Sequence, residues 1–167
     1  MADFVQQTVT KTALRKLTTP IADVNTFNGI VQAVIDDNPW GCTAYEVSGV
    51  PQDPVIKRSE YYGGRILFQD DFAKTVGYTS FRNPTIAGFN ATKTEILANE
   101  ALTAAMGGDP VNDPEYDAYS ASLKCHDPSG ELYYVTFTRD AVRISSYSDD
   151  ALAATIETWA DTIPALA

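Results

Sequence analysis

His126 is the single histidine of the chain, and it stands between Cys125 and Asp127. A thiol beside an imidazole is the composition of a nucleophilic pair, in which the ring draws the thiol proton. Along a strand, however, successive side chains point to opposite faces, so Cys125 and His126 do not meet if the segment is extended. Cys42 reaches His126 only if the fold carries it there. The two cysteines are far apart and form no CxxC, which excludes a zinc ribbon and a thioredoxin motif. They read as reduced, buried thiols acting as small apolar side chains. No GxSxG motif is present for serine-hydrolase chemistry.

Carboxylates offer a second chemistry. The loop from Gly107 to Asp117 carries Asp109, Asp113, Glu115 and Asp117 at near-alternate positions. Such acids can converge on a hard cation, and Ca²⁺ asks for about six to eight oxygens. The EF-hand pattern is absent, since neither the central glycine nor the closing glutamate is in place. Metal binding, or metal-dependent catalysis with a divalent cation at these four acids, is therefore the alternative functional reading. Tyr61-Tyr62-Gly63-Gly64-Arg65 has the glycines of a phosphate cradle but no following helix, so a bulge inside a strand is expected. Asp70 and Asp71 read as turn residues.

The elements that must position these residues follow from periodicity. Phe27, Ile30, Val31, Val34 and Ile35 make the apolar stripe of a helix that Asn38-Pro39 ends. Strands are expected near 41–48, 60–69 and 75–81. Thr92-Lys-Thr-Glu95 has the form of a capping box for a second helix, with Ile96, Leu97, Ala101, Leu102, Ala105 and Met106 inward and Gly107-Gly108 as its stop. Strands follow near 118–126, 131–138 and 141–147, with Asp127-Pro-Ser-Gly130 as a hairpin turn. Ser148, Asp149 and Asp150 open a last helix that buries Leu152, Ile156, Trp159, Ala160 and Ile163.

The fold class is thus α+β: an antiparallel sheet built from two helix-plus-three-strand units, α-βββ-α-βββ-α, with helices packed on one face. Residues 1–19 form an N-terminal arm or a frayed helix, and 20–167 a single domain. Loose textual similarity between RILFQD…GYTSF and YVTFTRD…RISSY suggests internal duplication of 26–81 and 92–147. The element order resembles that of roadblock-like/profilin-like proteins and of type III secretion chaperones, both mostly non-catalytic. This resemblance implies a binding role and carries over no residue.

Net charge is −10, and all of it arises beyond residue 94, where thirteen acids meet only Lys124, Arg139 and Arg143. A field of that sign repels a phosphate backbone, so neither nucleic acid nor an anionic membrane is expected as partner. No secretion leader is evident in the first residues, and a cytoplasmic protein is expected. In the second meander, alternation puts Leu123, Cys125, Tyr133, Val135, Phe137, Val142 and Ile144 toward the core. It turns Lys124, His126, Leu132, Tyr134, Thr136, Thr138, Arg143, Ser145 and Tyr147 outward. Tyrosine and arginine are side chains that interfaces favour. The sequence therefore predicts a non-catalytic binding or adaptor domain, homodimeric or bound to another protein and without cofactor. Its contact surface is Lys124, Leu132, Tyr134, Arg143 and Tyr147.

Overall fold

The computed structural model of the chain describes residues 11–43, 45–47, 50–52, 56–112, 117–127 and 129–166. It shows the α+β class, with one seven-stranded antiparallel sheet and four α-helices. In chain order the elements are β1 (Lys11–Lys16), α1 (Val24–Asp37), β2 (Tyr45–Val47), β3 (Val50–Gln52), β4 (Lys57–Gln69), β5 (Thr75–Asn83) and α2 (Ile86–Ala98). Then come α3 (Glu100–Met106), β6 (Asp109–Asn112), β7 (Ala118–His126), β8 (Leu132–Thr138), β9 (Ala141–Tyr147), α4 (Asp150–Asp161) and a 3₁₀ turn, Pro164–Leu166. The strands lie in the order β1-β9-β8-β7-β4-β5, with β6 also on β4. No described helix is long and apolar enough to cross a membrane.

The N-terminal segment is an extended arm from Lys11 onward: β1 adds to the sheet edge against β9. Its β-branched and alternating residues suit that edge better than a helix. Four-residue spacing does hold for α1, which Asp23 caps by accepting from the Asn25 and Thr26 amides at 3.2 Å each. Phe27, Ile30, Val31 and Val34 are buried on one side of it. On α4 the cap is Asp149, and Leu152, Ile156 and Ala160 are buried. Both helices cover the face formed by Tyr119, Ala121, Leu123, Cys125, Tyr133, Val135, Phe137, Val142 and Ile144. The inward set expected for the second meander is thus buried throughout.

Three elements differ from expectation. Among the described residues of the strand expected at 41–48, none joins the main sheet, and Tyr45–Val47 pairs with Val50–Gln52 as a separate two-stranded ribbon. Residues 41–43 are instead pinned elsewhere: Asn38 brackets Cys42 from both sides, and the Thr43 hydroxyl donates to the Asp127 carbonyl at 2.7 Å. The second helix begins at Ile86, six residues ahead of Thr92, because the Thr85 hydroxyl accepts from the Gly88 amide. Thr92 lies inside α2 and accepts from Asn83 Nδ2 at 3.1 Å, so it caps nothing. Asn99 then breaks the run and caps α3 through the Leu102 amide. Asp109–Asn112, expected as loop, is a short strand on β4, where Pro110 is tolerated because β6 is an edge.

At thirteen residues, β4 is long enough to serve two neighbours on one side. Lys57–Gly63 pairs with β7, and Ile66–Gln69 with β6. The handover falls at Gly63-Gly64, where register with β5 stays continuous, so the expected bulge is not there. Close approach explains the glycines. A Cβ on Gly64 would lie 2.9 Å from both Asp117 Oδ1 and the Phe81 ring, and one on Gly63 2.6 Å from Tyr61 Oη. Beneath this half, α2 buries Phe89 against Tyr62 and Phe81.

Candidate functional site

The face of the sheet that no helix covers follows from register. Across it run Lys57–Lys124–Tyr134–Ser145–Thr12 and Ser59–Ser122–Thr136–Arg143–Leu14, each residue opposite the next. Beside these rows, β4 and β5 add Tyr61, Arg65 and Leu67 with Tyr78, Ser80 and Arg82. Lys16 belongs to the same face, opposite Ala141. Six of the twelve cations therefore share one surface: Lys16, Lys57, Arg65, Arg82, Lys124 and Arg143. Among the described strand residues, alternation places a single carboxylate there, Asp109, at the far end opposite Gln69.

The remaining cations explain the segregation. Lys11 pairs with Asp150 at 2.7 Å, Arg15 with Asp161 at 2.7 Å and Lys93 with Asp117 at 3.1 Å, while Arg58 pairs with Glu60. These four lie on the helix side of the sheet or at its β1 edge, and Lys74 and Arg139 sit in turns. Among the described residues, Lys16, Lys57, Arg82, Lys124 and Arg143 of the open face make no ion pair. Two cations of this face lie on aromatic rings: Arg65 is 4.2 Å from the centroid of Tyr78, and Arg82 is 4.7 Å from that of Tyr61. Hydroxyls fill the space between charges, with Ser122 and Thr136 in contact at 3.2 Å. A groove of about 340 Å³ runs between Leu14, Lys16, Thr136 and Arg143, with Asp140 at its rim. A wider one, about 590 Å³, opens beside Tyr61, Ser120 and Thr138. An acidic chain thus carries a cationic, hydroxyl-rich and tyrosine-bearing surface.

Of the five contact residues expected from sequence, Lys124, Leu132, Tyr134 and Arg143 share this face. Tyr147 does not, being 8% exposed and part of the core. The cause is Ser146, whose φ of +62° inserts an extra residue, so that Lys11 faces Tyr147 and Thr12 faces Ser145. That bulge resets the alternation and turns the tyrosine inward. Lys57, Arg65 and Arg82 were not anticipated. Alternation of Arg65 and Leu67 against buried Ile66 and Phe68 was readable, but the pairing of β4 with β7 was not.

The four acids of the metal reading are placed as follows. Asp113 and Glu115 lie outside the described residues. Asp109 is exposed on β6 opposite Gln69, whereas Asp117 lies beside Gly64, five positions and roughly 17 Å away along β4. Asp117 is buried, paired with Lys93, and its other oxygen, Oδ1, has no hydrogen-bond partner among the described residues. Among those residues no group of three or more His, Cys, Asp and Glu side chains is placed to hold a metal.

The fold does bring Cys42 to the Cys125–His126 strand, but it meets the His126 main chain rather than the imidazole. The neighbouring Cys125 thiol, and after it the Tyr133 hydroxyl 3.3 Å away and the His126 main chain, outweigh burial and draw the Cys42 thiol down to about 6. Cys125 and Tyr133 are the titratable side chains in that set, and burial together with their contact to Cys42 pushes the Tyr133 hydroxyl upward. A depressed folded-state value stabilises the fold above the unfolded thiol's range, and this is lost as pH falls through about 6. The stability difference between wild type and Cys42→Ser should therefore grow from pH 6 to pH 9. Urea titrations at several pH values measure it, and a difference flat with pH would refute the thiolate.

Comparison with known proteins gives no significant match: no family model, curated protein or solved structure is similar to this chain.

Proposed function

We propose that the protein is a non-catalytic binding domain that captures an acidic protein partner on the open face of its sheet. The observation that carries this reading is the sorting of cations. Those under the helices are paired with carboxylates, whereas Lys16, Lys57, Arg82, Lys124 and Arg143 on the open face make no ion pair among the described residues. Cations displayed together, with tyrosines and hydroxyls between them, favour a polar partner of opposite charge and accelerate its encounter. A homodimer joined through this face would set six cations against six, so a second copy's open face is a poor occupant. A long polyanion would run off the face into the field of a chain with net charge −10, whereas a short acidic segment would not.

Fluorescence anisotropy with a labelled Glu/Ser peptide tests the reading. Binding is expected at low salt and should weaken as salt rises. Lys124→Glu and Arg143→Glu should each lower affinity about tenfold, near 1.4 kcal/mol, with unchanged melting temperature. A Lys/Ser peptide should not bind. Absence of binding, indifference to both reversals, or preference for a single-stranded oligonucleotide would each overturn the proposal.

A further inference from the structure

Beyond its cations, the open face ends in apolar side chains. Register places Val111 of β6, Leu67 of β4 and Tyr78 of β5 in one row, each opposite the next. Directly paired residues share a face, so this row lies on the same side of the sheet as Lys57, Arg65 and Arg82. Val111 is 37% exposed and Tyr78 56%. The β4–β5 turn and the start of β5 adjoin the row and carry Phe72 and Val76, 91% and 46% exposed. Four of the seven large apolar side chains that the described residues expose thus gather at one end of the sheet. Single exposed apolar residues need no explanation, whereas a group of them continuous with a polar binding face marks part of a contact.

Local chemistry keeps this end open and gives the face a direction. Asp70 Oδ1 accepts from the Phe72 and Lys74 amides at 2.9 and 3.0 Å, and Ala73 takes a φ of +58°, so the turn has a fixed shape with the Phe72 ring outside it. The Arg65 guanidinium, 4.2 Å from the Tyr78 ring centroid, joins the row to the cationic stretch. Arg82 stands opposite Gly63, four residues and roughly 13 Å from Leu67 along β4. Lys57 is ten residues and roughly 33 Å from Leu67. On the other side of the row Asp109, opposite Gln69, ends the face with a carboxylate. Along β4 the order is therefore cations, an apolar shelf, then an acid.

We infer, building on the acidic-partner reading, that the partner segment carries a bulky apolar residue at one end of its acids, seated on the shelf of Leu67, Tyr78 and Val111. Charge complementarity fixes the side of this anchor on which the acids lie. Toward Lys57 they meet Arg82 and Lys124, and toward Gln69 they meet Asp109. In an extended segment lying along β4, the first acid falls about four residues from the anchor, as Arg82 does from Leu67. The two parts respond differently to salt. Contacts between exposed charges are screened, while burial of an apolar side chain owes nothing to charge.

Fluorescence anisotropy with two labelled peptides tests this: the Glu/Ser peptide, and the same peptide with a Phe four residues ahead of its first Glu. The Phe peptide should bind about tenfold more tightly. That ratio should hold while added salt weakens both peptides. Val111→Ser and Tyr78→Ser should each bring the ratio toward one, whereas Lys124→Glu should weaken both peptides and leave the ratio as it was. A Phe placed amid the acids should lose most of the gain, because some carboxylates then face Asp109. Equal binding of the two peptides would remove the shelf and leave the acidic-partner reading in place. Failure of both to bind would overturn the two readings together. A tenfold gain that survives both shelf variants would seat the Phe elsewhere and defeat the assignment. Concentration-dependent sedimentation of the free protein that Val111→Ser abolishes would do the same, by making a second copy the occupant. The wild-type comparison stands whether or not the variants fold.

Discussion

Phe27→Ala is expected to lower the unfolding free energy by about 3–5 kcal/mol, the range for deleting a fully buried aromatic ring. Phe27 has no exposed surface, and it stands where α1 meets the sheet. Its ring lies 5.1 Å from that of Tyr119, and 6.3 Å from that of Tyr62 in an edge-on contact. Tyr119 in turn donates to the Ile21 carbonyl at 3.0 Å, tying the chain ahead of α1 to β7. Loss of the ring opens a cavity that stiff neighbours on two strands cannot fill. In a domain of this size the melting temperature should fall by about 10 °C or more. Thermal unfolding followed by circular dichroism measures it, and a fall of less than about 3 °C would show that the site collapses without penalty.

Lys93→Met should cost about 3 kcal/mol for a different reason, because it strands a buried charge. Lys93 reaches from α2 to Asp117 Oδ2 at 3.1 Å and lies 4.5 Å from the Phe89 ring centroid. Methionine retains most of the apolar contact with that ring and removes the ammonium. Asp117 is then left 9% exposed with Oδ1 already unpartnered. Adding Asp117→Asn should recover at least half of the loss, since the uncompensated charge goes with it. Urea denaturation of wild type, both single variants and the double variant closes the cycle. Additive losses, or a single-variant loss below about 1 kcal/mol, would mean that water already solvates the pair.

The parts of the fold that could be read in advance are those fixed by local chemistry. Helices α1 and α4 follow from apolar spacing and aspartate caps, and the β7–β8 hairpin from Asp127, whose carboxylate accepts from the Ser129 and Glu131 amides at 2.9 Å each. The misreadings are places where a distant partner decides. Thr92-Lys-Thr-Glu95 has the letters of a capping box, but Asn83 engages Thr92 and leaves Thr85 to start the helix. Period-two alternation assigns Tyr147 outward, and a single left-handed residue, Ser146, reverses it. Half of the open face was legible, since Lys124, Tyr134 and Arg143 alternate cleanly with buried neighbours. The other half required knowing that β4 lies beside β7, a pairing across more than fifty residues that no local signal encodes.

That same strand sets how the molecule comes apart. Because β4 carries Tyr62 into the core under α1 and buries Ile66 and Phe68 farther along, its backbone belongs to both helical layers at once. Its amides are engaged by β5 on one side and by β7 and then β6 on the other. Sub-global opening that releases α2 and α3 must strip hydrogen bonds from the strand that also holds α1 in place. Cooperativity is thus concentrated in one thirteen-residue segment. A ligand gripping Lys57 at one end of β4 is therefore expected to slow amide exchange at Gln69 on the other, through the shared strand and with no change of shape.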